Sequence, residues 1–370
     1  MNTLRKSFLT VCYVASVLFL IAYVTTIFLK PHNGIGWLLS SFFVCLSVAI
    51  RGNVKRKGYW YSIVILGVAT MAMYYPHLFK TIGNRDASFF IPVMLQVIMF
   101  GMGTELSIKD FAQVMKMPKG VVVGIVCHYT IMPLVGYAIA HLFNFPGEIA
   151  AGIILIGCCP SGLASNVMCY LSKANLALSV SVTTVSTLLA PLLTPLLMQL
   201  LGGSYVTIDF WKMFWDITNI VILPIGAGLA FHYILRGKIK WLDKAMPVFS
   251  MIGIALVLLV ITAAGRDNLL RVGGLLIIAT CMHNTAGYFL GYWSARLLKF
   301  HERDCRTIAL EVGMQNAGLA SALAKALGKI ATVGLASVIF GTVMNLSGSV
   351  LANWWHTRPP GPGKNKNVDI

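Results

Sequence analysis

Glu311-Val312-Gly313-Met314-Gln315-Asn316-Ala317-Gly318-Leu319-Ala320-Ser321 interrupts an otherwise apolar run from about Cys305 to Leu327. A carboxylate, a carboxamide pair and two glycines stand where a lipid-facing helix would be apolar. A charge at bilayer depth costs roughly 2.5 kcal/mol or more on insertion scales, so an acid retained there is expected to be paired, cavity-facing and functional. An earlier stretch, Cys158-Cys159-Pro160-Ser161-Gly162-Leu163-Ala164-Ser165-Asn166, answers it. Gly162-Leu163-Ala164-Ser165 returns as Gly318-Leu319-Ala320-Ser321, 156 residues later (318 minus 162). Two Gly-interrupted spans at corresponding places in two halves are the sequence mark of a transport site built from broken helices.

The composition sets the class. Of 370 residues, 57% are hydrophobic and 11% charged, far from the balance of a soluble domain, which implies an all-α polytopic membrane protein. The net charge of +17 falls in short clusters between apolar runs, so it reports topology rather than nucleic-acid binding. Runs able to cross about 30 Å of hydrocarbon lie near 8–29, 35–50, 59–76, 89–106, 119–141, 148–171, 175–201, 210–234, 245–264, 272–295, 305–327 and 330–355. The first is too long for a signal peptide and lacks an A-x-A-like cleavage site, so it reads as a retained span. With both termini cytoplasmic, 21 of the 29 Lys and Arg residues fall inside and 8 outside, as the positive-inside rule requires. A plasma membrane, specifically a bacterial inner membrane, is the expected location. Seven cysteines lie in apolar runs and Cys305 at a cytoplasmic edge; their spacing implies neither a disulfide framework nor a metal site.

The interruptions fall in spans six and eleven, which makes spans three to seven one unit and eight to twelve a second. Five spans per unit is an odd number, so the second enters the membrane inverted and the broken helices cross near the midplane. Residues 1–58 form two extra N-terminal helices, 59–355 the transporter, and 356–370 a tail. Irregular backbone at membrane depth survives only beside protein or a water-filled cavity. A broken helix there presents carbonyls at one half-helix end and a positive dipole end at the other, so it can hold a hard cation and attract an anion. Ser179 and Thr183 share a helix face and, with Ser165, Asn166 and Glu311, would form an all-oxygen cage. The plainer reading of such hydroxyls is a bond to their own i−4 carbonyl.

These motifs resemble the bile acid:sodium symporter family. The likeness covers about 59–355 and rests on Cys159-Pro160 with Ala164-Ser165-Asn166-Val167-Met168, the hydroxyl-rich Ser179–Thr187 helix, Phe100-Gly101-Met102-Gly103, and Glu311–Ala317. The resemblance implies a panel (about 59–106 and 210–264), a core (about 119–201 and 272–355), and sodium-coupled uptake of a bile acid-like or pantoate-like anion with no cofactor. By resemblance, one sodium site carries over to Ser165, Asn166, Ser179, Thr183 and Glu311. A second carries over to Glu311, Gln315 and the carbonyls of Val312 and Met314, and Asn316 and Asn345 face substrate. His128 stands where the family has a glutamine ligand, which puts the second sodium in question. Leu163 stands where some members have a threonine, which bears on the substrate. The two N-terminal spans are additional to the family's ten.

Asp216, among Trp211, Phe214 and Trp215, reads as an interfacial acid, and His283 beside Asn284 as a hydrogen-bonded core histidine. An intramembrane enzyme lacks its motif, since no H-E-x-x-H is present. A ligand-binding sensor lacks a soluble signalling domain. Proton coupling through Glu311 and His128 is the alternative within transporters.

Overall fold

A computed structural model describes residues 3–29, 35–52, 59–83, 85–106, 113–235, 240–358 and 360. Each of the twelve expected spans is a helix or a pair of half-helices. The expected tail beyond 360 and the basic stretches at 53–58, 107–112 and 236–239 lie outside the described residues. The first spans are α1 (Thr3–Leu29), α2 (Ile35–Arg51), α3 (Trp60–Tyr74) and α4 (Ile91–Glu105). Next come α5 (Pro118–Leu142), the broken pair α6 (Gly147–Cys158) and α7 (Ala164–Leu171), and α8 (Leu176–Leu197). The second unit runs through α9 (Phe210–Ile217) with α10 (Leu223–Leu235), then α11 (Lys240–Ala264) and α12 (Arg266–Leu297). It ends with the broken pair α13 (Glu302–Gly313) and α14 (Ala317–Ala326), and α15 (Val333–His356).

Local chemistry explains the boundaries. Proline near the start of α5 fits a position whose N–H needs no partner. The side chain of Asn175 caps α8 by accepting from Leu178 N at 3.2 Å, and that of Asp209 caps α9 by accepting from Lys212 N at 3.0 Å. Pro191 and Pro195 sit inside α8, where each removes a helical donor, and the helix continues beyond Leu197 as a π turn over Met198–Gly202. Cys305, expected at an edge, is fully buried. Its thiol points to Phe300 O, because α13 begins three residues before it.

Two packed groups emerge. Helices α5, α6, α7, α8, α12, α13 and α15 contact one another around the breaks, while α4 packs between α10 and α11 and also meets α14. Polar contacts tie the helix ends together at both ends of the bundle. At one end Arg306 bonds Glu302 and the carbonyls of Ser172, Trp355 and Arg358, and Asn353 bonds Tyr59. At the opposite end Lys329 pairs with Glu148 and Lys325 donates to Ser88 Oγ at 2.5 Å. Ser88's hydroxyl and amide, with Lys325 beside them, hold the Asp86 carboxyl below its ordinary range.

The two breaks cross. Ser161 and Gln315 form an antiparallel bridge, Gly162 N donates to Met314 O at 3.0 Å, and Asn316 N donates to Pro160 O at 2.8 Å. A Cβ on residue 162 would stand 2.5 Å from Gln315 O, so only glycine permits this approach. The exchange relates the halves by 154 residues (315 minus 161), not the 156 of the shared Gly-Leu-Ala-Ser letters. Those letters mark the right spans two residues out of register. In the first half they begin inside the break; in the second they lie within α14, which Asn316 caps by accepting from Leu319 N.

Candidate cation site at the helix crossing

Glu311 is fully buried near the end of α13, and the side chains expected around it converge there. Its Oε1 accepts from Ser165 Oγ at 2.6 Å and Ser179 Oγ at 2.5 Å, and its Oε2 from Thr183 Oγ1 at 2.8 Å. Asn166 Oδ1 lies 2.7 Å from Ser179 Oγ and 3.4 Å from Thr183 Oγ1. The plainer reading of the α8 hydroxyls holds for their neighbours instead. Ser181 bonds the Ala177 carbonyl, and Ser186 and Thr187 bond that of Thr183, whereas Ser179 and Thr183 turn to the acid.

The proton count at this cluster is informative. Ser165, Ser179 and Thr183 carry one hydroxyl proton each. They face the two Glu311 oxygens, Asn166 Oδ1 and the Gly162 carbonyl, which Ser165 Oγ reaches at 2.8 Å. Acceptors outnumber donors around a single formal charge, a donor set suited to a hard monovalent cation. Ser161, not singled out from sequence, adds a hydroxyl 3.3 Å from Met314 O and 3.5 Å from Ser165 Oγ.

The other expected ligands lie on the far side of the crossing. His128 is fully buried, with Nδ1 2.9 Å from Glu311 O and Nε2 2.9 Å from Cys159 O. A neutral imidazole offers one N–H and one lone pair, so the two carbonyls compete for it. Gln315 donates to Val312 O at 2.8 Å, and its buried Oε1 has no hydrogen-bond partner among the described residues. An orphaned buried carboxamide oxygen calls for an explanation, and a cation ligand is one that fits. The Val312 carbonyl accepts from Gln315 Nε2 and keeps a second lone pair, whereas the Met314 carbonyl accepts from both Gly162 N and Ser161 Oγ.

Comparison with known proteins bears on this geometry. The model of the Sodium Bile acid symporter family matches residues 92–272. A protein of Bacillus subtilis (strain 168) described as an uncharacterized sodium-dependent transporter, YocS, is 42% identical over 307 residues, 83% of this chain and 94% of the relative. The chain belongs to the sodium/bile acid symporter family. Two further relatives are each 32% identical. One is the probable chloroplastic sodium/metabolite cotransporter BASS1 of Arabidopsis thaliana, covering 72% of this chain and 67% of the relative. The other is the human ileal sodium/bile acid cotransporter, covering 66% and 71%. Members of the family are sodium-coupled membrane transporters, not enzymes.

Of the residues assigned to substrate, Leu163 and Asn316 sit at the half-helix starts and Asn345 lies within α15. Leu163 is half-buried at the N-cap of α7 and supplies no side-chain cap. Asn316 caps α14, and Asn345 turns its amide back to Gly341 O at 2.7 Å in its own helix. The capping role accounts for Asn316 locally, without removing it from the crossing. His283 is a buried core histidine as expected, with Nε2 2.9 Å from Met132 O. Asp216 is half-buried and follows exposed Trp215, with exposed Trp211 earlier in the same helix. Sequence reasoning passed over Ser161, Asn284 and Ser347; single polar residues in apolar spans give no periodic signal.

Proposed function

We propose that this protein imports an organic anion together with sodium by alternating access. Sodium is held by Ser165, Asn166, Ser179, Thr183 and Glu311. The observation that carries this reading is the cluster of four oxygen-bearing side chains, Ser165, Asn166, Ser179 and Thr183, around the fully buried Glu311 carboxylate, richer in acceptors than in protons. Gln315, with the Val312 and Met314 carbonyls, supplies further oxygens on the other side of Glu311, and His128 occupies the remaining direction. The anion binds where α7 and α14 begin, since positive dipole ends and free amides favour negative charge there, with Asn316 and Asn345 alongside. Leu163 makes that surface more apolar than a hydroxyl residue would, favouring a branched or sterol-like acid over a small hydroxy acid. The relatives named for bile acid and for metabolites fit this class. Helices α3, α4, α9, α10 and α11 act as the panel against which the crossing helices move, in a bacterial inner membrane with cytoplasmic termini.

The test is uptake of labelled taurocholate, pantoate and pyruvate into proteoliposomes at fixed pH, with sodium outside or replaced by choline. Sodium-stimulated taurocholate or pantoate uptake supports the reading; uptake of pyruvate alone counts against the apolar pocket. The second reading, proton coupling, draws on the contact between His128 and the Glu311 carbonyl. It predicts full uptake in choline driven by an inward pH gradient.

A further inference from the structure

The first half of each broken span ends on carbonyls that have lost their i+4 amide partner. The exchange about Ser161 and Gln315 makes Cys159 and Gly313 counterparts, each two residues before the bridge. Each of these carbonyls is met by a buried side chain from the helix that precedes the broken span in its own unit. From α5, His128 Nε2 lies 2.9 Å from Cys159 O; from α12, Asn284 Nδ2 donates to Gly313 O at 2.9 Å. The two units thus solve one problem with different residues.

Asn284 is fully buried, and its amide is held in one orientation. Ser347 on α15 donates to Asn284 Oδ1 at 2.5 Å, and Tyr288 OH lies 3.3 Å from Ser347 Oγ. One turn along the same face of α12, a Cβ on Gly287 would stand 2.9 Å from Gly313 Cα, so this helix backbone lies directly against the break. A buried asparagine serving packing alone needs only some partner. Here both ends of the amide connect the non-helical end of α13 to α15.

We propose that Asn284, oriented by Ser347, is a positioning residue for cation binding. By holding the Gly313 carbonyl it sets the direction in which the chain leaves α13. That direction fixes Glu311, two residues before, and Gln315, two residues after. The proposal rests on the reading of Glu311 as a cation ligand.

The experiment compares the full-length protein with Asn284→Ala, Ser347→Ala, Ser347→Thr and Glu311→Gln. Two readouts are taken: half-saturating sodium for uptake in proteoliposomes, and the sodium-induced rise in Tm in detergent. Groups that orient ion ligands typically change affinity by about tenfold or more when removed. Asn284→Ala should therefore raise half-saturating sodium by about that factor, Ser347→Ala should shift it in the same direction, and Ser347→Thr should restore it. Superimposable sodium curves for Ser347→Ala and the unmutated protein, with only Tm in choline or maximal uptake lowered, overturn the proposal; this variant decides the matter if Asn284→Ala does not fold. If Glu311→Gln keeps the sodium-induced Tm rise, the cation reading itself fails. If Glu311→Gln loses that rise while Ser347→Ala keeps normal sodium affinity, only the positioning role fails.

Discussion

At Glu311 the functional argument reduces to one side chain, because a lone buried carboxylate needs compensating charge and here receives only hydroxyls. Glu311→Gln keeps the shape and removes the charge. Sodium-stimulated uptake should be lost while the protein still reaches the membrane at normal abundance; unmutated sodium stimulation would remove Glu311 from the mechanism. Asn166→Ala deletes one neutral oxygen and should raise half-saturating sodium by about tenfold, equivalent to ~1.4 kcal/mol. His128 makes a different prediction. Its ring, not a carboxamide oxygen, meets both half-helix carbonyls, and imidazole suits soft metals better than sodium. Sodium dependence should be nearly hyperbolic, and His128→Gln should make it sigmoidal. A Hill coefficient near two in the unmutated protein, unchanged by the substitution, would defeat this. The convergence of Ser165, Asn166, Ser179 and Thr183 on Glu311 was legible because an acid, a hydroxyl pair at i, i+4 spacing and the polar residues of a Gly-interrupted span stand out in apolar sequence. Asn284 and Ser347 were not, because their meaning depends on which helices touch.

On the element scale, α8 separates two uses of the same residue type on one helix. Thr183 donates to Glu311, while Thr187 donates to Thr183 O within its own helix. Thr183→Val should raise half-saturating sodium, and Thr187→Val should leave it unchanged, with stability altered by about 1 kcal/mol at most. Equal shifts for both would mean that the face assignment is wrong. The broken helices set a stricter test at Gly162, where a methyl group must displace Gln315 backbone. Gly162→Ala should lower the Tm, at an overpacking cost of about 1–3 kcal/mol, and weaken sodium binding with it. Sequence located both breaks through their glycines and polar residues. It misplaced their register by two because four shared small and apolar letters carry no record of which backbone groups exchange hydrogen bonds.

Across the whole molecule, the count of apolar runs revealed the helical architecture, since the length needed to cross a bilayer acts on every span independently of packing. Arg306 is an instructive departure. Counted as a loop base, it is instead a buried cation joining the ends of α7 and α15, because carbonyls at helix C-termini attract positive charge. What patterning could not supply was the attachment of the first two helices. The main neighbour of α1 is α2, and α2 leans on α3. Trp37 N donates to Tyr75 OH at 3.2 Å, Tyr23 and Tyr74 hydroxyls lie 2.8 Å apart, and the Arg51 guanidinium sits 4.8 Å from the Trp60 ring centroid. These contacts fasten the hairpin along α3, on the group of helices that does not contain Glu311. Removing residues 1–58 should therefore lower the Tm in detergent while leaving half-saturating sodium within about twofold of the full-length value, since distant independent sites change each other's energetics by only about 0.3–0.5 kcal/mol. Loss of sodium-stimulated uptake in a truncated protein that folds and inserts normally would show that the hairpin takes part in the transport cycle. The helices around Glu311 would then depend on a lateral support that their own packing does not provide.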